Sequence, residues 1–438
     1  MSLAMSIRSR GPAGSAARTR RVLSRFGPTA NAMTRHLDRY DAITAELGAR
    51  PTWPTTACVL GRHPDVLKRY ADGGAELAVH GLVHGDHASL DERTQRETIT
   101  RALEIFERSG IYATGFRGPY LRYNQATLDV LRELGFRYHS SQAVVFPPRD
   151  GGSAAARSTP SYALALKLYS AVDARHVAVT PRLRDGLVDI PVAIPDDEIL
   201  VERLSLDAEA RTLEWIHILD LTHRRGDLFT LQLHPERIPE LGDALGATLA
   251  EARRRRPAVF VASLDRIAAW WWRRSRFVLH VTRIASGRHR VRLDADADAT
   301  LLVRGAPVDG EPWYGADVVS PRRDLELATG KMPVVAVSRR TPDGVRRFLR
   351  EEGFPYEISD DAAAYGAHVD VPAGIWSERE VLDAVERAPG PLVRIWRWPD
   401  AARSALAVTG DIDALTLTDF VLRSWETREQ RSNGRHRS

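Results

Sequence analysis

The chain of 438 residues carries 62 Lys plus Arg against 57 Asp plus Glu, a net charge of +5, and is 43% hydrophobic. That length and apolar content exclude a disordered chain and require two or three packed units. The small charge excess lacks a clustered basic face with base-reading groups, which argues against nucleic acid as a partner.

The first twenty residues scatter Arg8, Arg10, Arg18 and Arg20 among Gly, Ala and Ser, without the apolar core of a secretory signal. No stretch approaches the roughly 18 apolar residues of a membrane span, so the chain is expected to be cytoplasmic, with no integral membrane segment. Oligomeric state leaves no sequence signal.

Helical spacing over 32–47 leads through Gly48 and Pro51 into a strand-like run ending at Leu60. Cys58, the only cysteine, sits in that run and reads as a small core residue; a disulfide framework and a thiolate metal site are both excluded. A helix over 64–70 precedes the strand Leu77-Ala78-Val79-His80. Ser89 and Glu92 then have capping-box spacing for a helix that presents Ile99, Leu103 and Phe106 and stops at Gly110. Strand and helix patterns alternate through 112–117, 126–134, 187–194, 213–222, 228–234, 245–253 and 259–264. The alternation predicts a mostly parallel sheet or barrel, with functional loops at the carboxyl ends of the strands.

Residues 151–158 read as a surface loop. A helix over 267–274 carries Trp270, Trp271 and Trp272, and packing is favoured over sugar stacking because three adjacent tryptophans on a helix point in three directions. From 277 the runs alternate as in a small β module. Asp294, Asp296 and Asp298 lack the Gly and distal Glu of a calcium loop and read as a solvated turn. Strand and helix return at 334–337, 342–352 and 377–387, followed by 391–409.

Four places carry candidate chemistry. His80 and His84 stand four apart just after a buried strand, with Gly81 and Gly85 allowing close approach and with the neutral nitrogen donors that Zn²⁺ prefers. His87 beside them reads as a solvated loop residue. Arg117-Gly118-Pro119-Tyr120 ends a strand in an Arg and a rigid turn, able to pair with a carboxylate and to aim a backbone N–H at an oxyanion. Leu228 to His234 delivers one imidazole at a strand end, a place for a general acid or base. Ala405 to Asp413 is an apolar strand ending in Asp411 and Asp413. Two His, an Asp and an open position are what a catalytic Zn²⁺ requires.

Together these residues resemble the polysaccharide deacetylase family with the NodB homology domain, carbohydrate esterase family four. Thr409-Gly410-Asp411-Ile412-Asp413 looks like its first motif and His80 with His84 like the second. Arg117 to Tyr120 looks like the third, Tyr138-His139-Ser140-Ser141 like the fourth, and Leu233-His234-Pro235 like the fifth. The resemblance implies that His80, His84 and Asp413 hold a divalent metal, Zn²⁺ by choice, with Co²⁺, Ni²⁺ or Mn²⁺ as alternatives. It further implies Asp411 as base, His234 as acid, Arg117 as the partner of the base, and Pro119, Tyr120 and Leu233 as substrate-binding groups. The implied activity is N-deacetylation of an N-acetylated sugar in a polysaccharide, glycolipid or precursor. Hydrolysis of a small cyclic or linear amide, or carbohydrate binding without catalysis, stands as the alternative.

Two features depart from the family. Its first motif ordinarily opens the domain, whereas here it lies more than three hundred residues after the His pair. The expected fold is therefore α/β, a distorted (β/α) barrel that is circularly permuted, with an inserted small β-rich and α+β accessory region. The divisions are 1–276 for the main barrel, 277–390 for the accessory region and 391–438 for a returning strand and helix; a truncated second copy of the domain is the rival. His139 also stands where the fourth motif usually has an Asp, which leaves the partner of Arg117 open.

Overall fold

The computed structural model describes residues 25–149 and 159–435, so the Arg-dotted N-terminus and the loop expected at 151–158 lie outside the described residues. The main sheet has nine strands: β1 (Thr52–Thr55), β2 (Glu76–Val79), β3 (Gly115–Phe116), β4 (Tyr138–His139), β5 (Arg182–Arg184), β6 (Leu187–Asp189), β7 (Leu228–Gln232), β8 (Val259–Val261) and β9 (Ser404–Thr409). Their spatial order is β7-β9-β1-β2-β3-β4-β6-β5, with β8 also pairing β9. All pairings are parallel except that of β5 with β6. The sheet curls into a distorted half-barrel, and a second, three-stranded parallel sheet of Ala143–Val145, Val172–Asp173 and Val192–Ile194 packs beside β7.

Parallel strands covered on both faces are largely apolar, and β7 and β9 are buried at every position. The covering helices follow the helical period. In α1 (Asn31–Glu46), Met33, Leu37, Tyr40 and Thr44 are buried on one stripe. Two local expectations are corrected. The strand-like run ending at Leu60 is a strand only to Thr55, after which Ala57 and Cys58 donate their N–H groups to the Gly81 and Leu82 carbonyls and open α2 (Ala57–Arg62). Cys58 is thus half-buried on a helix rather than a core residue. The cap of α3 (Glu92–Arg108) is Asp91, whose carboxylate accepts from the Thr94 N–H, and not Ser89.

Strand β9 carries the topology. It lies between β7 and β1, with Leu228 to Gln232 in register against Ala405 to Thr409. The Gly410 and Ile412 N–H groups donate to the Thr52 and Pro54 carbonyls, which extends the pairing with β1 into the loop that bears Asp411 and Asp413. Helix α4 (Ala208–Arg225) precedes β7, α5 (Leu264–Arg274) follows β8, and α6 (Leu417–Arg435) follows the Asp loop.

Between α5 and β9 lie three smaller sheets. Val278–Ala285, Arg288–Asp294 and Asp324–Ala328 are antiparallel, and Met332–Val337 is flanked in parallel by Tyr356–Ile358 and Tyr365–Val369. The third sheet pairs Leu301–Arg304 with Asp317–Val319 and with Leu392–Ile395. The last of these strands falls inside the segment 391–438, so that segment begins in an accessory sheet and enters the main sheet only at Ser404. Trp270 and Trp271 are buried, and Trp271 meets Trp398 at a 5.6 Å ring separation, while Trp272 is 43% exposed. Arg273 pairs with Asp296 and Asp298 at 3.1 and 2.8 Å, which ties the Asp-rich turn to α5. Among the described residues no helix is long and apolar enough to cross a membrane.

Candidate active site

The carboxyl ends of β2, β3, β7 and β9 converge. His80 follows β2 directly, and its Nδ1 donates to the Arg117 carbonyl at 2.8 Å. That bond fixes the tautomer and leaves the Nε2 lone pair directed inward, the usual arrangement of a metal-binding imidazole. Nε2 is 3.6 Å from Asp413 Oδ1 and 3.6 Å from Asp411 Oδ2. His84 Nε2 lies 3.4 Å from Asp413 Oδ2. One donor atom each from His80, His84 and Asp413 can be chosen so that all lie within 4.8 Å of one another, and all three residues are buried.

These groups suit a divalent cation. His80 Nε2 and Asp413 Oδ1 are buried without hydrogen-bond partners, a costly arrangement unless something else binds there. Burial lowers the His84 pKa well below its ordinary value and keeps the ring neutral, as a ligand must be. Burial alone would raise the Asp413 carboxyl, but the cationic surroundings, with the Arg423 guanidinium bonded to it, hold it well below the usual carboxylate range. Two nitrogens and one carboxylate form the donor set of many catalytic zinc sites.

Asp411 is held from both sides. Arg117, fully buried, donates from Nη1 to Asp411 Oδ1 at 3.0 Å and to Thr409 Oγ1 at 2.8 Å. Gln232 Nε2 donates to Asp411 Oδ2 at 2.9 Å. The remaining guanidinium N–H groups reach the Ser140 carbonyl and hydroxyl at 2.9 and 3.0 Å, so the partner of Arg117 is Asp411 together with the Ser140 segment. His139 lies instead 3.4 Å from Asp189 and packs against Tyr123.

His234 is anchored to Asp197, which accepts from its backbone N–H at 2.8 Å and from its Nδ1 at 2.9 Å. Burial alone would lower the His234 pKa; the Asp197 carboxylate overrides it and raises the value well above the ordinary one. The imidazolium is therefore the form present near neutrality.

The turn after Arg117 places Tyr120 and Leu121 at φ 61° and 53°, in the left-handed region that non-glycine residues rarely occupy. The Tyr120 ring stands edge-on to His84 at 4.4 Å. Pro119 is buried, and Leu233 has no exposed surface and packs in the core, so Leu233 offers nothing for a ligand to touch. His87 is also fully buried and edge-on to Phe116, which corrects its reading as a solvated residue.

The family model for polysaccharide deacetylases matches residues 33–139. Over that segment the chain is similar to the polysaccharide deacetylases. The matched segment holds His80, His84, Arg117, Pro119 and Tyr120, whereas Leu233, His234, Asp411 and Asp413 lie beyond it. Over 96 residues, 22% of the chain, it is 30% identical to the peptidoglycan deacetylase-like protein FGM2 of Gibberella zeae, of which it covers 28%. Over 91 residues, 20% of the chain, it is 22% identical to the peptidoglycan deacetylase of Helicobacter pylori, of which it covers 31%. It therefore spans less than a third of either relative. A Mycobacterium smegmatis structure assigned to the polysaccharide deacetylases aligns over 60% of this chain and 82% of its own, with 22% identity and a TM-score of 0.43.

Three contributors to this site carry no motif in the sequence. Asp197 had a legible signal, since Ile194-Pro195-Asp196-Asp197 places acids just after the apolar run 192–194, as at β9. Gln232 was hidden within the strand that delivers His234. Arg423, on α6, donates from Nη1 to Asp413 Oδ2 at 2.6 Å, and nothing in its local sequence marks it.

Proposed function

We propose that this chain hydrolyses an amide, removing the acetyl group from an N-acetylated sugar, with a divalent metal held by His80, His84 and Asp413. The observation that carries the reading is the buried, unpartnered pair His80 Nε2 and Asp413 Oδ1 beside His84. Zn²⁺ suits this donor set, and Co²⁺, Ni²⁺ or Mn²⁺ would be held by the same atoms. Such an ion supplies Lewis acidity toward an amide carbonyl and lowers the pKa of water.

The chain's own residues divide the remaining work. Asp411, oriented by Arg117 and Gln232, accepts a proton from the attacking water. His234, kept protonated by Asp197, donates a proton to the departing amine nitrogen as the C–N bond breaks. The products are acetate and a free amino sugar. The backbone N–H at Tyr120, in the turn that also contains Pro119, is assigned to the oxyanion.

The chain order is read as a circular permutation, with β9 supplying the strand that opens the domain in the family and with 277 to about 403 inserted. The support is the position of β9 between β7 and β1. Metal content and acetate release from N-acetylglucosamine oligomers, measured for wild type, His80→Ala and Asp413→Ala, test the assignment. Both variants are expected to lose metal and turnover, and retention of both by either pair of measurements would refute it. A small cyclic amide run in parallel separates the sugar reading from the amidohydrolase alternative.

A further inference from the structure

A second cluster of charge lies at the opposite end of the same strands. Arg403 immediately precedes β9 and Arg225 closes α4 just before β7, whereas Asp411 and His234 follow those strands. At about 3.3 Å per residue the two ends are roughly 20 Å apart. There, between the main sheet and the accessory sheets, a cavity of about 460 Å³ is lined by seven arginines and three carboxylates.

Most of those charges are already matched. Arg304 and Arg394 share Asp317 and Glu386. Arg379 and Arg397 both pair with Asp227 behind the wall. Arg224 pairs with Asp220 at 3.3 Å. Among the described residues, Arg225 and Arg403 have no carboxylate partner: their guanidinium contacts are the Ala174 and Arg224 carbonyls. Asp383, on the exposed rim, is the remaining acid of the wall.

Arg403 is the more telling of the two. It is 6% exposed, its Nε has no partner, and its guanidinium lies 4.1 Å from the Tyr314 ring and 4.7 Å from the Trp396 ring. Aromatic faces hold a cation in place without neutralising it. Burial and the neighbouring Arg394 depress the Arg403 pKa to about 10, and burial with Arg379 lowers that of Arg225. Two desolvated cations facing one cavity are costly unless an anion completes them.

We propose that this cavity is an anion site for a phosphate group, carried by free phosphate or by a small phosphorylated metabolite, with Arg403 and Arg225 as its principal ligands. Planar guanidinium forks match phosphate oxygens bidentately. The volume exceeds that of orthophosphate alone, which leaves room for an organic substituent beyond the arginines.

Calorimetric titration of the full chain with orthophosphate and, separately, with glucose 6-phosphate tests the site. Saturable binding of at least one of them is expected, weakened about tenfold or more in both Arg403→Gln and Arg225→Gln. His84→Ala, which removes a proposed metal ligand, is expected to bind as wild type does, and this separates the cavity from the metal centre. Tighter binding of glucose 6-phosphate than of orthophosphate identifies the organic phosphate as the ligand, and equal binding identifies free phosphate. Absence of saturable binding at millimolar probe, or binding untouched by both Arg substitutions, overturns the proposal. Arg225 is only partly buried, so Arg225→Gln decides the matter even if Arg403→Gln fails to fold.

Discussion

The charge on His234 depends chiefly on the Asp197 carboxylate, with Glu236 and Asp411 adding to it. In Asp197→Asn the imidazolium loses the partner that raises its pKa, so the alkaline limb of the rate against pH is expected to move down by about one unit or more, measured as kcat/KM. The sign follows from the raised folded value: the proton stabilises the fold fully below the unfolded pKa near 6.5, and that gain is lost as pH rises through the folded value. His87 behaves in the opposite sense. Burial, aided by His80, lowers its pKa to about 4, so the folded chain resists a proton that the unfolded chain accepts. Between pH 7 and pH 5 this is expected to cost about 2 kcal/mol, and urea unfolding of His87→Gln should show a flatter dependence on pH than wild type. Both groups illustrate the reach of sequence reasoning. His80, His84 and Arg117 were legible because each ends an apolar run, where a strand delivers a side chain to a shared rim. His87 was misread because its burial comes from Phe116, a residue of another strand. Arg423 was invisible because its partner Asp413 lies across a turn whose geometry no local pattern encodes.

Strands β7 and β9 were read from predominantly apolar runs, and their burial at every position explains why the few polar residues in them, Thr230, Gln232, Ser404 and Thr409, are small or hydrogen-bonded to the site. The same signal failed at 56–60, since a short apolar run does not distinguish a strand from one helical turn. The junction after β9 is tight. A Cβ at Gly410 would lie 2.1 Å from the Leu233 carbonyl and 3.1 Å from the Tyr40 ring. Gly410→Ala is therefore expected to cost about 1–3 kcal/mol in chemical denaturation and to reduce turnover by displacing Asp411. A chain ending before Ser404 leaves β7 and β1 without the neighbour between them. Such a truncation is expected to lose parallel-sheet circular dichroism and metal binding together, and a well-folded, metal-loaded truncation would count against the permuted reading.

The accessory sheets and the main sheet are joined by a buried ionic seam. Arg397 pairs with Glu352 from the accessory region and with Asp227 beside β7, and Arg379 reaches the same Asp227 at 2.6 Å. Breaking one member of a buried network strands the others, so Glu352→Gln is expected to destabilise by about 3–5 kcal/mol. Because the seam runs between the two parts, scanning calorimetry of the wild type is expected to show one transition. The position of β9 also has a consequence in time. Its neighbour β1 leaves the ribosome more than three hundred residues earlier, which at ~5–20 residues per second is roughly 20 to 70 s. Until β9 emerges, β1, and β7 once it has been made, each present an unpaired, adhesive edge. His80 and His84 are made early, yet they acquire Asp411 and Asp413 only when β9 slots between its elders, so a ribosome that stalls before Ser404 releases a product that lacks both carboxylates.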